Sequence, residues 1–385
     1  MNTIQCPGLD GSNPLHFLAS LGVMRLATQG DDEIKMSWHF NNGGWHPCFS
    51  SNQNKDENDF VQQLSTWTKE IGKTSHIDPK LKKQAADLSA KIKKDEKKRK
   101  EKIKGQKKSS KGKDVTNESD PLKREIDELD TAIKEEKKHL ATLQIQIGDS
   151  LGQGVAHLGD IIGVNPDLFR YKAKLALDKM NGGSICCSPS VDNAQLIVAC
   201  LPSLACDQIF EDGKLAYTPF SFSNGGSGQC LLKDFRECAK ATTEAHIKGT
   251  LFGIPIYERT LSSLGWDPSD QSLYAVQWQA PEVTNKKGTK EVDPAIQTFA
   301  YVGLSLLPAL PVNGVLTAVG WETDLGRRIF CWPMWDMNLS LSVIMSVLAL
   351  GRNQAMKTPG LPTIFSVSVQ NPNGKRNFFS PSRSL

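Results

Sequence analysis

Residues 79–147 constrain the fold of this chain more than any other segment, because apolar residues recur there with the spacing of a coiled coil. Two runs alternate steps of four and three residues, and a polar stretch rich in Gly and Ser separates them. The first run consists of Leu81, Ala85, Leu88 and Ile92. The second consists of Leu122, Ile126, Leu129, Ile133, Leu140, Leu143 and Ile147, with Glu136 in the remaining position. The pattern predicts two helices that pair antiparallel and protrude as a coiled-coil hairpin.

The first helix and the loop of this hairpin are strongly basic. Residues 91–113 contain thirteen Lys and Arg against three Asp and Glu, so the segment carries +10, and the rest of this +4 chain sums to −6. One interpretation is a solvated helix end that stays soluble through its lysines. The other is a finger that grips a phosphate backbone, without regard to base identity because no aromatic residue interrupts the lysines. The candidate contacts are Lys97, Lys98, Lys100, Lys102 and Lys104.

The rest of the chain has the pattern of a mixed α+β protein. The expected elements include helices over residues 15–28 and 231–241 and strands over residues 316–321 and 329–332. They do not follow a regular βαβ alternation, which disfavours a parallel α/β sheet. We therefore expect a globular α+β domain whose N-terminal part is residues 1–78 and whose remainder is residues 148–385, interrupted by the hairpin of residues 79–147.

Cysteine usage and hydropathy predict a cytoplasmic protein. The nine cysteines are odd in number, include no Cys-x-x-Cys motif, and place Cys186 beside Cys187, which is poor geometry for a mutual disulfide. The N-terminal sequence lacks the basic start and apolar run of a secretory signal. No uninterrupted apolar stretch reaches the ~18 residues of a membrane helix, so no membrane partner is expected.

A first candidate contact with DNA bases lies at a predicted β-hairpin turn. Strand-like residues 38–40 and 45–49 flank the sequence Asn41-Asn42-Gly43-Gly44. The amides of Asn41 and Asn42 suit base edges, Gly43 permits a positive φ, and Trp45 offers a ring that stacks or wedges between bases. The alternative is an ordinary tight turn.

A second candidate contact is the glycine-rich segment before the predicted helix over residues 231–241. A turn at a helix start presents unpaired backbone N–H groups that receive an anion such as phosphate. The candidate residues are Asn224, Gly225, Ser227 and Gln229, and an ordinary turn is again the alternative. Further candidates for phosphate contacts are Lys233, Arg236, Arg327, Arg328, Lys375 and Arg376.

The sequence gives no positive indication of catalysis. His39, His46 and Cys48 cluster, but a metal site needs a further ligand from elsewhere, and a Cys nucleophile needs a positioned base. No zinc-protease, nucleophile-elbow, Walker A or dinucleotide motif occurs. We expect no catalytic residues, metal or cofactor, and keep a hydrolase built on Cys48 and His46 as an alternative.

Five segments together resemble the CRISPR-associated large-subunit-like proteins of the type I-G branch, formerly called I-U. The longest is residues 9–26, LDGSNPLHFLASLGVMRL. The others are residues 223–232 (SNGGSGQCLL), 265–268 (GWDP) followed by Tyr274 and Ala275, 304–308 (LSLLP) and 330–335 (FCWPMW). They spread over most of the chain outside the charged hairpin, which does not match the pattern of that family.

The resemblance implies a non-catalytic subunit of a Cascade-type surveillance complex in antiviral defence. Its partners would be other Cascade subunits, a guide RNA, target double-stranded DNA and a separate helicase-nuclease. The subunit would contact the protospacer-adjacent motif and help to separate the strands, while base pairing reads most of the sequence. The competing hypothesis is a coiled-coil adaptor or scaffold that binds proteins rather than nucleic acid.

Overall fold

The computed structural model describes residues 2–72, 79–109, 121–150, 199–203, 205–209, 215–222, 229–258, 261, 263–268, 292–324, 326–370 and 377–385. The chain divides into two compact units, Met1–Lys73 with Gly154–Leu385, and Thr74–Gln153. We call them the globular unit and the helical unit. Helices and antiparallel sheets are both present, so the fold is α+β. The residue boundaries of the three segments given above stay a prediction.

The described elements are numbered in chain order. The helices are α1 (Pro14–Ala27), α2 (Glu57–Gly72), α3 (Pro79–Ser109), α4 (Pro121–Ser150), α5 (Gln229–Ala241), α6 (Glu244–Phe252), α7 (Pro294–Gly303), α8 (Leu341–Leu348) and α9 (Arg352–Ala355), with a 3-10 turn at Leu304–Leu306. The strands are β1 (Asn2–Gln5), β2 (Lys35–Asn41), β3 (Gly44–Ser51), β4 (Ala205–Ile209), β5 (Leu215–Tyr217), β6 (Ala309–Val312), β7 (Val315–Ala318), β8 (Trp321–Asp324), β9 (Arg327–Met334), β10 (Thr363–Gln370), β11 (Phe378–Phe379) and β12 (Arg383–Ser384). None of these helices combines the length and apolar character needed to cross a bilayer.

Two helices cross closely in the core of the globular unit. The α1 helix starts where the Asn13 side chain accepts the Leu15 N–H, with Pro14 at the first helical position. It packs against α7 at two glycines: a Cβ on Gly22 would lie 1.8 Å from the Phe299 oxygen, and one on Gly303 would lie 2.0 Å from the Leu18 oxygen. The crossing therefore requires glycine on both helices.

In the part of the chain that the structure describes, two antiparallel sheets and two separate hairpins accompany these helices. The first sheet has the strand order β1-β3-β2, and the second has the order β11-β10-β9-β8, with β12 also paired to β10. The hairpins are β4–β5 and β6–β7. The α1 helix contacts both sheets through Phe17, whose ring centroid lies 5.8 Å from that of Trp38 on β2 and 5.5 Å from that of Trp332 on β9. All three side chains are fully buried.

Most expected elements of the globular unit are confirmed, and one strand is wrong. The helices expected over residues 15–28 and 231–241 are α1 and α5, and the strand over 329–332 is the centre of the longer β9. The strand expected over residues 316–321 is instead divided into β7 and β8. Gly320 lies between them at φ +80°, a left-handed conformation that ends a strand.

The helical unit pairs α3 with α4. Ile92 on α3 is buried, as are Ile126, Ile133 and Leu143 on α4, all at positions of the predicted apolar runs. Ion pairs join Lys91 to Glu136 at 2.6 Å, Glu96 to Lys137 at 2.8 Å, Arg99 to Asp130, and Lys102 to Glu125. Lys91, early in this series on α3, pairs with Glu136, whereas Lys102, later on α3, pairs with the earlier α4 residue Glu125. The two helices therefore run antiparallel.

Candidate nucleic-acid interface

The turn between β2 and β3 presents polar amides and an aromatic pair. Asn42 and Gly43 form the turn at φ +49° and +81°, and both are exposed together with Asn41. The strand register places Phe40 opposite Trp45, with ring centroids 5.3 Å apart. Phe40 is 64% exposed, whereas Trp45 is half-buried and packs against the core. We call residues 40–45 the hairpin tip.

A loop before α1 holds the hairpin tip in place. The Oδ1 atom of Asp10 accepts the Trp45 N–H at 3.1 Å and the Ser12 N–H at 3.0 Å, and its Oδ2 atom accepts the Ser12 hydroxyl at 2.7 Å. The Gly11 N–H donates to the Trp45 carbonyl at 2.7 Å. The tip is thereby held at Trp45, on its β3 side, by one carboxylate and one backbone hydrogen bond.

The same loop is itself locked into the core. The indole N–H of Trp332 donates to the Gly11 carbonyl at 2.8 Å, and the Asn13 amide donates to Asp267 at 2.9 Å. The Asp10 N–H donates to Nδ1 of His16 at 3.1 Å. Burial lowers the pKa of His16, against the opposing influence of the nearby Asp267 and Asp10 carboxylates. A neutral imidazole is the form in which Nδ1 accepts this hydrogen bond.

The hairpin tip carries no formal charge. Residues 36–54 contain no Asp, Glu, Lys or Arg, and both oxygens of the neighbouring Asp10 already accept hydrogen bonds. Exposed amides and an exposed aromatic ring recognise base edges and base faces, whereas phosphates require positive charge. The tip is therefore chemically suited to contact nucleic-acid bases rather than phosphates.

The structure separates the predicted lysine contacts into two groups. Lys98 forms an ion pair with Asp95 at 3.2 Å, and Lys102 is paired with Glu125. Lys97, Lys100 and Lys104 are exposed and have no ion-pair partner among the described residues. The five lysines therefore do not form one equivalent set.

Two of the other candidates lie at the start of β9. Arg327 is exposed and opposes Asp324 across the β8–β9 pair. Arg328 donates to the Leu316 carbonyl at 3.2 Å, and its guanidinium lies 5.2 Å from the ring centroid of Trp321. Partial burial lowers the pKa of Arg328. Arg328 is thus engaged in contacts within the protein, and Arg327 is the more open of the two.

Several predicted contacts fall outside what the structure describes. Asn224, Gly225, Ser227, Lys375 and Arg376 lie outside the described residues. Gln229 begins α5 and Lys233 lies within it, but their side chains are not among those described. Arg236 is half-buried on α5. The glycine-rich segment before α5 therefore stays a prediction.

The geometry disfavours the hydrolase interpretation. Cys48 is buried, and burial raises the pKa of its thiol to about 11, so the thiolate is scarce at neutral pH. The Nδ1 atom of His46 lies 2.8 Å from the Leu9 carbonyl oxygen. Within the described ranges, no group of three His, Cys, Asp or Glu residues is arranged to hold a metal ion.

Two candidate residues were missed in the sequence. Phe40 is the exposed aromatic of the hairpin tip, and its signal was its cross-strand position opposite Trp45. Lys93 is exposed on α3, and it precedes Lys97 by four residues and Lys100 by seven, which places the three on one helix face.

No family model matches the chain, and no curated protein matches it either.

Proposed function

We propose that this protein is a non-catalytic, cytoplasmic subunit of an RNA-guided CRISPR surveillance complex, and that its hairpin tip contacts the protospacer-adjacent motif of target DNA. The observation that carries the proposal is an uncharged tip with exposed amides and an exposed ring, hydrogen-bonded at Trp45 to the loop of residues 9–13. That loop is the start of the longest segment resembling the type I-G large-subunit-like proteins. The partners would be other Cascade subunits, guide RNA, target double-stranded DNA and a separate helicase-nuclease.

The resembling segments support this proposal because they contact each other in the core. The loop of residues 9–13 is bound to Trp332 in one segment and to Asp267 in another. Gly22, in the α1 part of the first segment, meets Gly303, which directly precedes residues 304–308. Segments that pack against one another would be retained together in proteins of the same fold. Here their contacts position the loop that supports the hairpin tip.

A fixed tip suits the recognition of a short motif. Two amide side chains offer paired donors and acceptors to base edges, and each good bidentate contact discriminates by about 1–3 kcal/mol against a wrong base. The exposed Phe40 ring adds a surface that stacks on a base or enters a base step. Backbone hydrogen bonds to Asp10 and Gly11 limit the conformational entropy that the tip loses on binding.

For the helical unit we propose an antiparallel coiled coil that protrudes and grips nucleic-acid backbone. The buried positions Ile92, Ile126, Ile133 and Leu143 follow the predicted seam, and ion pairs flank it. Strand separation and delivery of the displaced strand to the helicase-nuclease would follow from contacts made by both units.

The first experiment is purification of the tagged full-length protein from its native host at moderate salt, followed by sequencing of bound RNA. Uniform guide-length RNA with a common repeat supports membership in an RNA-guided complex. A preparation without RNA but with retained protein partners contradicts it and favours the adaptor hypothesis, which the self-contained pairing of α3 and α4 also fits.

The second experiment tests the tip on that purified complex. The double variant Asn41→Ala/Asn42→Gly removes both amides, and glycine keeps the positive φ of the turn. The Asn313→Gly variant is a matched control, because Asn313-Gly314 forms the β6–β7 turn with the similar φ values of +51° and +75°. We expect the double variant alone to lose preference among ~30-bp duplexes that differ in a short motif, by about 1–3 kcal/mol. Equal preference in both variants would exclude the tip as a reader.

A further inference from the structure

Four lysines lie on one face of α3. Lys93, Lys97, Lys100 and Lys104 are separated by steps of four, three and four residues. At about 100° per residue, these steps confine them to an arc of roughly 60°, and at about 1.5 Å per residue they span roughly 16 Å. We call this set the lysine track.

The track is open to solvent. All four residues are exposed, and none forms an ion pair with another described residue. The acidic residues Asp95 and Glu96, which lie between them in sequence, are paired with Lys98 and Lys137. Glu101 is exposed at the margin of the track. The track therefore keeps most of its positive charge.

The α4 helix makes this charge one-sided. Lys91, Arg99 and Lys102 point their charged groups to carboxylates of α4, namely those of Glu136, Asp130 and Glu125. At least one partner of each ion pair is well exposed to solvent, which screens the attraction, so each pair adds little stability. Its effect is instead to cancel positive charge on the side of α3 that faces α4 and leave it on the track.

The exposed basic residues of α4 do not form a comparable face. Lys123, Arg124, Lys134 and Lys138 are exposed, but Asp127, Glu128 and Glu135 are exposed among them. A surface of mixed sign produces no concentrated field. A face of uniformly positive charge is thus found on α3 and not on α4.

We propose that the lysine track binds the phosphate backbone of a nucleic acid, independently of base sequence. Successive track residues are one helical turn apart, about 5–6 Å, and present a row of point charges to a row of phosphates. No aromatic residue occurs between Lys93 and Lys104, so the face lacks both a stacking platform and the aromatic anchors typical of protein interfaces. This inference deepens the proposed function and rests on it for the identity of the nucleic acid as target DNA or guide RNA.

The experiment measures binding of the full-length protein to a ~30-bp duplex of arbitrary sequence, at several salt concentrations between about 50 and 200 mM. Four phosphate contacts predict a slope of log affinity against log salt of about −3.6, which is a loss of roughly 100-fold over that range. The variant with Gln at Lys93, Lys97, Lys100 and Lys104 is expected to lose most of that slope. The control with Gln at Lys123, Arg124, Lys134 and Lys138 removes the same charge and is expected to change the slope by less than about one unit.

One measurement and one further variant separate loss of charge from loss of structure. Gln and Lys have similar helix propensities, so helical content measured by circular dichroism should stay constant. Arg at the four track positions should restore binding, because phosphate contact needs the charge and not the amine. Equal slopes for the track variant and the control, whether both fall or neither does, would overturn the proposal. If no guide RNA accompanies the protein but the track variant alone loses its slope, the surveillance function fails and the track stands.

Discussion

The hairpin tip and the lysine track are two candidate nucleic-acid surfaces built in opposite ways. The tip is uncharged, and a half-buried loop holds its backbone through hydrogen bonds at Trp45. The track is charged and exposed, and no described residue pairs with it. The difference matches two kinds of recognition, because base edges are read only by groups held in fixed geometry, whereas a backbone is held by charge at a suitable spacing. The tip should therefore depend on the core, and the track should not.

Substitution of one glycine in the core should perturb the protein most. Gly303→Ala places a Cβ 2.0 Å from the Leu18 oxygen, and backbone must move to accommodate it. We expect the free energy of unfolding to fall by about 3 kcal/mol, with loss of motif preference and an unchanged salt slope. Urea denaturation and the two binding assays measure these quantities.

A second glycine provides the matched control for that variant. Gly105 lies on α3, and a Cβ there would meet nothing within 4 Å. Gly105→Ala should raise the melting temperature of the helical unit, because alanine favours the helix by about 1 kcal/mol. A loss of stability in both variants would contradict the contrast between a packed core and an open helix.

Loss of the Asp10 carboxylate should lower both the stability of the protein and the function of the hairpin tip, without affecting the lysine track. Asp10→Ala removes the acceptor of the Trp45 and Ser12 N–H groups, and we expect a loss of about 2 kcal/mol in the free energy of unfolding. Motif preference should fall with it, and the salt slope should not change. Asp10→Asn retains an acceptor, so its free energy of unfolding and its motif preference should lie between those of the unaltered protein and those of Asp10→Ala. An unaltered motif preference in Asp10→Ala would show that the tip does not need this support.

Neutralising α4 should make the helical unit basic on both sides. The triple variant Glu125→Gln/Asp130→Asn/Glu136→Gln releases Lys102, Arg99 and Lys91 from their ion pairs. If these groups also reach phosphates, the salt slope becomes steeper by up to about 2.7, and motif preference stays constant. An unchanged slope would mean that only the track meets the backbone.

A pH titration gives the smallest expected effect and concerns Asp293, a buried carboxyl group at the start of α7. Burial raises the pKa of Asp293 above its ordinary value of 3.8, although hydrogen bonds from Thr250 and from the Ile296 and Ala295 N–H groups oppose the shift. The folded state therefore binds this proton more readily than the unfolded state, and the contribution of Asp293 to stability increases as the pH falls and is lost as the pH rises through the raised pKa.

The Asp293→Asn variant isolates that contribution. Asparagine keeps the cap of α7 and does not titrate. As the pH falls from about 7 to about 4, the free energy of unfolding of the unaltered protein should therefore rise relative to that of the variant. Urea denaturation at both values checks this. The exposed track should bind with no corresponding change in this variant, and a constant stability difference at the two pH values would contradict the assignment.

Local patterns in the sequence predicted much of this structure. The Asn-Gly turn of β2–β3, the extent of α1 and the buried positions of α3 and α4 follow from turn chemistry and from periodicities of two and 3.6 residues. The strand over residues 316–321 was wrong because Gly320 takes a left-handed conformation that apolar patterning does not reveal. The division of the five candidate lysines of α3 was also missed, since it depends on which carboxylates of α3 and α4 lie beside them.

Neighbours a few positions away in the chain are therefore enough to specify the two-helix pattern, the excess of positive charge on α3 and the turn residues of the tip. Long-range packing, in contrast, lets Asp10 and Gly11 hold the tip, brings Gly22 against Gly303, and leaves one face of α3 charged beside α4. These contacts join residues distant in the chain. Their geometry depends on how whole elements pack, which no local pattern specifies.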